Sequence, residues 1–388
     1  MKIEMPTPSD VQKQRSLQCM QIILDAVAEQ GGMISFERYM QLCLYSKDVG
    51  YYESCEDIFG EGGDFTTSPE RSKYFALAFA LYIQQLKNTL PNLSIVEIGA
   101  GSGKFANDLM AHLEQFDCKP KKYVIVEKSA ALRQRQQQKL AKHCKENDVV
   151  WVNTFDQPLE CAVVIANEVL DALPTKLVTV RNNIIQERYV GTDDSHKLKF
   201  YDHPATDTLS QLVRARITHD IISQDTHSYL TDINMQLDGF IEQIASFVKQ
   251  GIFFYIDYGY PRSEYYHEQR SMGTLVCHFK HAMNDDPLLL PGLQDISCSV
   301  DFTAVAEAAD KVSLNVDCYT TQAHFLLASQ VLEHVISDSD AYSLEQQSEV
   351  KRLLMPSEMG ERFQVMVLNK NVDLSKYQFT TRNLLHRL

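Results

Sequence analysis

The stretch Ser-Ile-Val-Glu-Ile-Gly-Ala-Gly-Ser-Gly-Lys, residues 94–104, constrains this chain more than any other. Ser94 to Ile98 is a short apolar run between Pro91 and a glycine cluster, the pattern of a buried parallel strand. Gly99, Gly101 and Gly103 follow at two-residue spacing, which lets the backbone turn tightly and leaves bare main chain for a ligand. From Lys104 to Leu113 the period becomes helical, with Phe105, Leu109, Met110 and Leu113 on one side. Strand, glycine turn and helix make half of a nucleotide-binding βαβ unit.

The neighbouring residues narrow the ligand. Lys104 stands where a dinucleotide fingerprint requires its third glycine. Ile98 and Phe105 stand where a phosphate-cradling loop requires a glycine and a hydroxyl. What remains is E-x-G-x-G-x-G, led by Glu97. It suits a ligand without a pyrophosphate but with a charged amino-acid end, such as S-adenosylmethionine, whose ammonium group a strand-tip carboxylate can face. From the glycines alone, an ordinary turn stays open as the alternative. Glu127, 24 residues past Gly103, ends the apolar run Tyr123 to Val126 and is placed to accept both ribose hydroxyls. Ser129 caps the helix that follows.

Composition excludes several classes. A net charge of −14 argues against nucleic acid as a partner. Nine cysteines without a C-x-x-C pair point to reduced thiols, and Cys277, His278 and His281 are poorly spaced for a metal, so none is expected. No apolar run reaches the ~18 residues that span a bilayer, so no membrane insertion is expected. Met1 to Asp10 lacks a signal or transit pattern. A bacterial, cytoplasmic protein is the simplest reading; oligomeric state, a homodimer included, stays open.

Along the chain, helices are expected over Asp10 to Glu29 and from a Ser35 cap. A glycine-rich run, Phe59 to Phe65, then leads to a helix with Ser68 as cap and Pro69 at its first position, running to about Lys87. Asp64 with Thr66 and Thr67 is expected to close over the cofactor from the N-terminal side as a lid, with Asp64, Thr67 and Ser68 as cofactor-binding candidates. Strands Ser94 to Ile98, Tyr123 to Glu127, Val149 to Val152 and Ala162 to Ala166 alternate with helices, as in a parallel doubly wound sheet. A hairpin turns at Asn182-Asn183, and Asp207 to Val213 is helical. Thr231 to Val248 reads as one amphipathic helix stopped by Gly251. Ile252 to Ile256, Val312 to Val316 and Phe363 to Leu368 complete the strands.

The fourth strand exits into Asn167-Glu168-Val169-Leu170-Asp171, where ligands of open α/β sheets bind. Glu168 can hold a guanidinium by paired hydrogen bonds, orienting a nitrogen nucleophile, while Asn167 donates and accepts beside it. Methyl transfer from a sulfonium needs an in-line nucleophile, positioning and a proton acceptor. Asp171 either assists or caps a short helix. Asp257 either lines the pocket or is a turn residue before Gly259.

These blocks carry a resemblance. Gly62 to Glu70, Val96 to Gly103, Ala166 to Pro174 and Asp257 to Tyr260 resemble the MidA family. Gly273-Thr274-Leu275, Asp295-Ile296-Ser297, Val300-Asp301-Phe302 and Met359-Gly360-Glu361 follow in the family's order. The likeness runs from about 33 to 370. It implies an S-adenosylmethionine-dependent methyltransferase of the Rossmann type; the family's mitochondrial members are similar to type II arginine methyltransferases and methylate an arginine of a respiratory complex I subunit during assembly. It matches Gly99, Gly101 and Gly103 to the cofactor turn, Glu127 to the ribose acid and Glu168 to the acid near the methyl group. The Gly62 to Glu70 block matches the loop packed on the cofactor. The expected fold is therefore α/β, a Rossmann-like class I methyltransferase sheet with an N-terminal helical segment (1–90) and a core (91–388). An inserted α/β subdomain lies at about 176–248 and 260–300. The first function hypothesis is a protein arginine methyltransferase. A small-molecule N- or O-methyltransferase and a non-catalytic assembly factor are the alternatives.

Overall fold

The computed structural model describes residues 5–54, 68–143, 148–154, 157–225, 228–337, 344–355 and 360–388. Its central sheet is built from Ser94–Ile98 (β1), Tyr123–Val126 (β2), Val149–Val152 (β3), Leu159–Asn167 (β4), Val248–Tyr260 (β5), Asn315–Thr321 (β6) and Phe363–Lys370 (β7). The order across the sheet is β3-β2-β1-β4-β5-β7-β6, and Val300–Asp301 adds a short strand beside the end of β5. β7 runs antiparallel to both its neighbours; the other long strands are parallel.

Successive residues of these strands feed opposite faces. Ile95, Ile125, Val163, Ile165 and Phe254 join a core with Phe75, Phe79, Phe105 and Leu109 from the helices Lys73–Leu86 and Lys104–Gln115. Val96, Val124, Val164 and Phe253 join a second core with Ile241 and Val305 from the helices Leu237–Phe247 and Phe302–Lys311. Both faces are covered, which is why the strands read as continuous apolar runs instead of alternating ones. The chain winds from β1 outward through β2 and β3, then resumes on the other side at β4. The switch point between β1 and β4 opens a crevice at the carboxyl ends of the strands, where Gly99 and Asn167 emerge.

A second sheet pairs Met33–Ser35, Ile184–Thr192, Lys176–Arg181 and Tyr229–Ile233 in that order, with Leu198–Pro204 alongside Ile184–Thr192. The helices Asp10–Glu29 and Phe36–Tyr45 pack on it through Cys19, Ile23, Tyr39 and Met40, together with Val190, Cys277 and Ile296. Ser9 and Gln12 close a capping box on the first of these helices, and Ser35 caps the second. The Asn182-Asn183 turn has φ of 50° and 62°, the left-handed pair that joins two twisted strands tightly.

Three expected elements are corrected. The single helix over Thr231 to Val248 divides into the strand Tyr229–Ile233, the helix Leu237–Phe247 and the start of β5 at Val248. Gly251 lies inside β5; a Cβ there would sit 2.2 Å from the Ala162 carbonyl oxygen, so close strand approach, not a helix stop, requires the glycine. The helix expected from Ser68 to Lys87 breaks at Ser72, whose extended backbone and hydroxyl cap Lys73–Leu86 at the Tyr74 N–H. The strand expected at Val312 to Val316 lies at Asn315–Thr321, after a turn in which Ser313 has φ 58°.

Candidate active site

The glycine turn leaves β1 with Gly99, Gly101 and Gly103 at φ 66°, 50° and 78°, all in the left-handed region. Gly103 is also the N-cap of Lys104–Gln115, and a Cβ on it would lie 3.3 Å from Gln136. A side chain at Gly99 would meet Val169 at 3.3 Å, so the turn stays open toward the crevice only as glycine. Glu97, one residue inside the strand end, is buried and accepts a hydrogen bond from the Tyr123 hydroxyl at 2.7 Å. Burial lifts its carboxyl to about 7, the Glu127 charge adds to that, and the tyrosine bond opposes it.

Glu127 follows the last residue of β2, and its N–H continues the ladder to the Val152 carbonyl (3.1 Å). One carboxylate oxygen accepts the Ser129 N–H at 3.0 Å, the other the Gln136 side-chain amide at 3.1 Å. Burial raises its pKa, and these bonds partly offset the rise. The Arg133 guanidinium clasps its backbone carbonyl (Nε, 2.6 Å). Glu127 is therefore fixed in place with acceptor capacity to spare.

At the end of β4, Asn167 donates from Nδ2 to Glu168 Oε1 at 3.1 Å, and its Oδ1 is buried without a partner among the described residues. Glu168 has φ 54°, a conformation a glutamate rarely holds. Two contacts hold it there. Its N–H donates to the Ile256 carbonyl at 2.9 Å. Buried Asp257 accepts the N–H groups of Val169, Leu170 and Asp171 at 3.2, 2.9 and 3.2 Å on one oxygen. Asp257 is thus the anchor of the Glu168 turn, a role that neither sequence option for it described. Burial, then the charges of Asp171 and Asp295, raise the Glu168 carboxyl to about 8; hydrogen bonds from Asn167 and the Ser68 N–H oppose them. Burial followed by Asp257 and Asp295 raises Asp171 well above the usual range.

Ser68 meets the site from the N-terminal side. Its N–H bonds Glu168, while its hydroxyl donates to Gln322 at 2.8 Å. Glu70, from the same short helix, accepts from the Ser102 hydroxyl in the glycine turn. Asp64 and Thr67, together with Thr66, lie outside the described residues. The crevice thus brings Glu97, the three glycines and Glu127 to one half, and Asn167, Glu168 and Asp171 to the other.

Four further residues emerge here. Tyr52 donates to Asp295 at 2.8 Å and stacks on Tyr45 (centroids 5.6 Å apart), whose hydroxyl donates to the Ala172 carbonyl at 2.8 Å. The Tyr45 ring is partly exposed, with its hydroxyl end turned in toward the Ala172 carbonyl. Gln136 ties the glycine turn to Glu127. Tyr52 and Asp295 stand in blocks distinctive enough to notice, Gly50-Tyr51-Tyr52 and Asp295-Ile296-Ser297, but only the packing shows that they meet. Gln136 stands in the polar run Arg133 to Lys139 and carries no signal.

The residues fit S-adenosylmethionine. An open glycine turn, a buried acid on either side of it and an orphaned Asn167 oxygen suit a ligand with an ammonium, a ribose and an adjacent cationic centre. Strand order and site together define a class I S-adenosylmethionine-dependent methyltransferase. Residues 75–320 match the family described as "Putative S-adenosyl-L-methionine-dependent methyltransferase", and the chain belongs to this family. A crystal structure of a superfamily member from Burkholderia thailandensis, bound to S-adenosyl-homocysteine, is 31% identical, superposes with a TM-score of 0.88 and covers 99% of this chain and 100% of that one. A mitochondrial protein arginine methyltransferase NDUFAF7 homolog of Caenorhabditis elegans is 26% identical over 70% of this chain and 67% of that protein. Its Homo sapiens counterpart is 25% identical over 90% and 84%. Among the described residues, no helix is long and apolar enough to cross a membrane.

Proposed function

We propose that this enzyme methylates a guanidinium nitrogen of arginine in a protein substrate. The observation that carries this reading is the clustering of carboxyl groups at the acceptor half. Glu168 and Asp171 lie half-buried within electrostatic range of Asp257 and Asp295. Among the described residues neither is ion-paired with a lysine, arginine or histidine. Clustered carboxyls without a cation favour their protonated forms, as the raised pKa values of Glu168 and Asp171 reflect, and a substrate guanidinium is the partner that would favour the ionised ones. A neutral acceptor would leave them protonated.

Glu97 and the glycine turn hold the amino-acid end of S-adenosylmethionine in this reading, and Glu127 holds its ribose. When bound, the cofactor supplies an electrophilic methyl group on a sulfonium. Glu168 pairs with the guanidinium, orients one nitrogen and accepts the proton it sheds. A carboxyl near 8 is matched to that task at neutral pH. Asn167 fixes the rotamer of Glu168, and Asp171 strengthens the negative field. Ser68 lies on the covering side, and Asp64 and Thr67 are proposed to bind the cofactor with it.

The division into an N-terminal segment (1–90) and a core (91–388) assigns chemistry to the core; the insertions near 176–248 and 260–300 assign acceptor choice. The names of the mitochondrial relatives support a protein arginine substrate, and the likeness to the MidA family makes a complex I subunit the first candidate. Higher identity to the Burkholderia structure than to the mitochondrial relatives, and the seven buried free cysteines among the described residues, support a bacterial cytoplasmic setting. The test is incubation of lysate proteins with the enzyme and isotopically marked S-adenosylmethionine, followed by mass spectrometry. Label on arginine side chains is expected; label confined to other residues or to small molecules overturns the reading.

A further inference from the structure

Gln136 is the one fully buried glutamine in the helix Ala130–Lys139, where Gln134, Gln137 and Gln138 are exposed. Its amide is used on three sides. Nε2 donates to the Gly101 carbonyl at 2.9 Å and to Glu127 Oε2 at 3.1 Å; Oε1 accepts the Trp151 indole N–H at 2.9 Å. An indole only donates, so Oε1 must face Trp151, and both amide hydrogens are thereby directed at the glycine turn and the acid. Trp151 belongs to β3, so one side chain ties the third strand, the ribose acid and the turn together.

We infer that Gln136 is a positioning residue for the cofactor. It sets the separation between the glycine turn, which takes the amino-acid end, and Glu127, which takes the ribose. This rests on the cofactor placement proposed above. The physical reason is that the Ser129 N–H holds only one oxygen of Glu127. The Gln136 amide holds the other, so both together fix the plane in which the carboxylate meets the crevice. The Gly101 carbonyl, fixed by the same amide, keeps the turn from collapsing onto the acid.

Calorimetric titration with S-adenosylhomocysteine tests the inference in a double-mutant cycle. Gln136→Leu should weaken binding by about tenfold in the wild-type background. In a Glu127→Ala background the same change should cost no more than about threefold, because its main target is gone. Trp151→Phe, which keeps a ring but removes the donor, should weaken binding several-fold in protein that remains folded, with a modestly lowered thermal midpoint, and it decides the matter if Gln136→Leu fails to fold. Equal losses in both backgrounds, or wild-type affinity in both Gln136→Leu and Trp151→Phe, overturn the inference. Absence of binding by the wild-type protein overturns the cofactor placement itself, so the two failures are distinguishable.

Discussion

Glu168, the proposed proton acceptor, has a backbone and a side chain that are both held away from their usual states. Its carboxyl lies near 8, against an ordinary value of 4.5. Activity that needs the ionised form therefore rises with pH through about 8. Glu168→Gln should lower kcat by about 10²–10⁴-fold while leaving cofactor affinity near wild type. Stability has the opposite sign. Below about 4.5 the group is protonated in both folded and unfolded chains and contributes no pH dependence. Between about 4.5 and 8 the unfolded chain releases the proton and the folded chain keeps it, so stability falls as pH rises. Thermal midpoints should therefore decline across that window in the wild type and decline less steeply in Glu168→Gln. A parallel decline in both would show that Glu168 is not shifted. The backbone gives a separate prediction. At φ 54° glycine is relieved of strain that alanine is not, so Glu168→Gly should be more stable than Glu168→Ala by about 1 kcal/mol in chemical denaturation.

At the scale of elements, the arrangement of the proposed cofactor half was legible because it is local. Ser94 to Lys104 contains its strand, turn and helix start within eleven residues, and Glu127 follows after one helix. The acceptor half was legible only in part. Asn167 and Glu168 announce themselves by polarity at a strand end. The roles of Asp257 and Asp295 depend on contacts made across 86–88 and 243 residues of chain, which no local pattern encodes. Gln136 was invisible because burial in a polar helix is decided by packing alone. The helix over Thr231 to Val248 was misjudged because Ile233, Leu237, Ile241, Ile244 and Val248 keep a helical period through three different elements. Gly251 shows the same lesson, since a glycine after an apolar run marks either a helix end or close strand packing. With the Ala162 carbonyl only 2.2 Å from a Cβ there, Gly251→Ala should push β4 and β5 apart and cost about 1–3 kcal/mol of stability or more. A change within a few tenths of a kcal/mol would mean that the two strands are less tightly apposed.

For the whole molecule, the proposed function divides one sheet in two. In that proposal the strands on one side of the switch point would hold the nucleoside and those on the other a cationic acceptor, while the N-terminal segment supplies Tyr45, Tyr52, Ser68 and Glu70 across the opening. In the proposed function a cationic acceptor favours the ionised forms of the clustered carboxyls, and an anionic substrate would oppose them. The most direct measurement of the central claim is calorimetric titration of the wild-type protein and Glu127→Ala with S-adenosylmethionine. The account predicts one-to-one binding by the wild type and an affinity about tenfold weaker or more in Glu127→Ala, from the loss of charged hydrogen bonds to the ribose. No heat with the wild type, or equal affinity in both proteins, would contradict it.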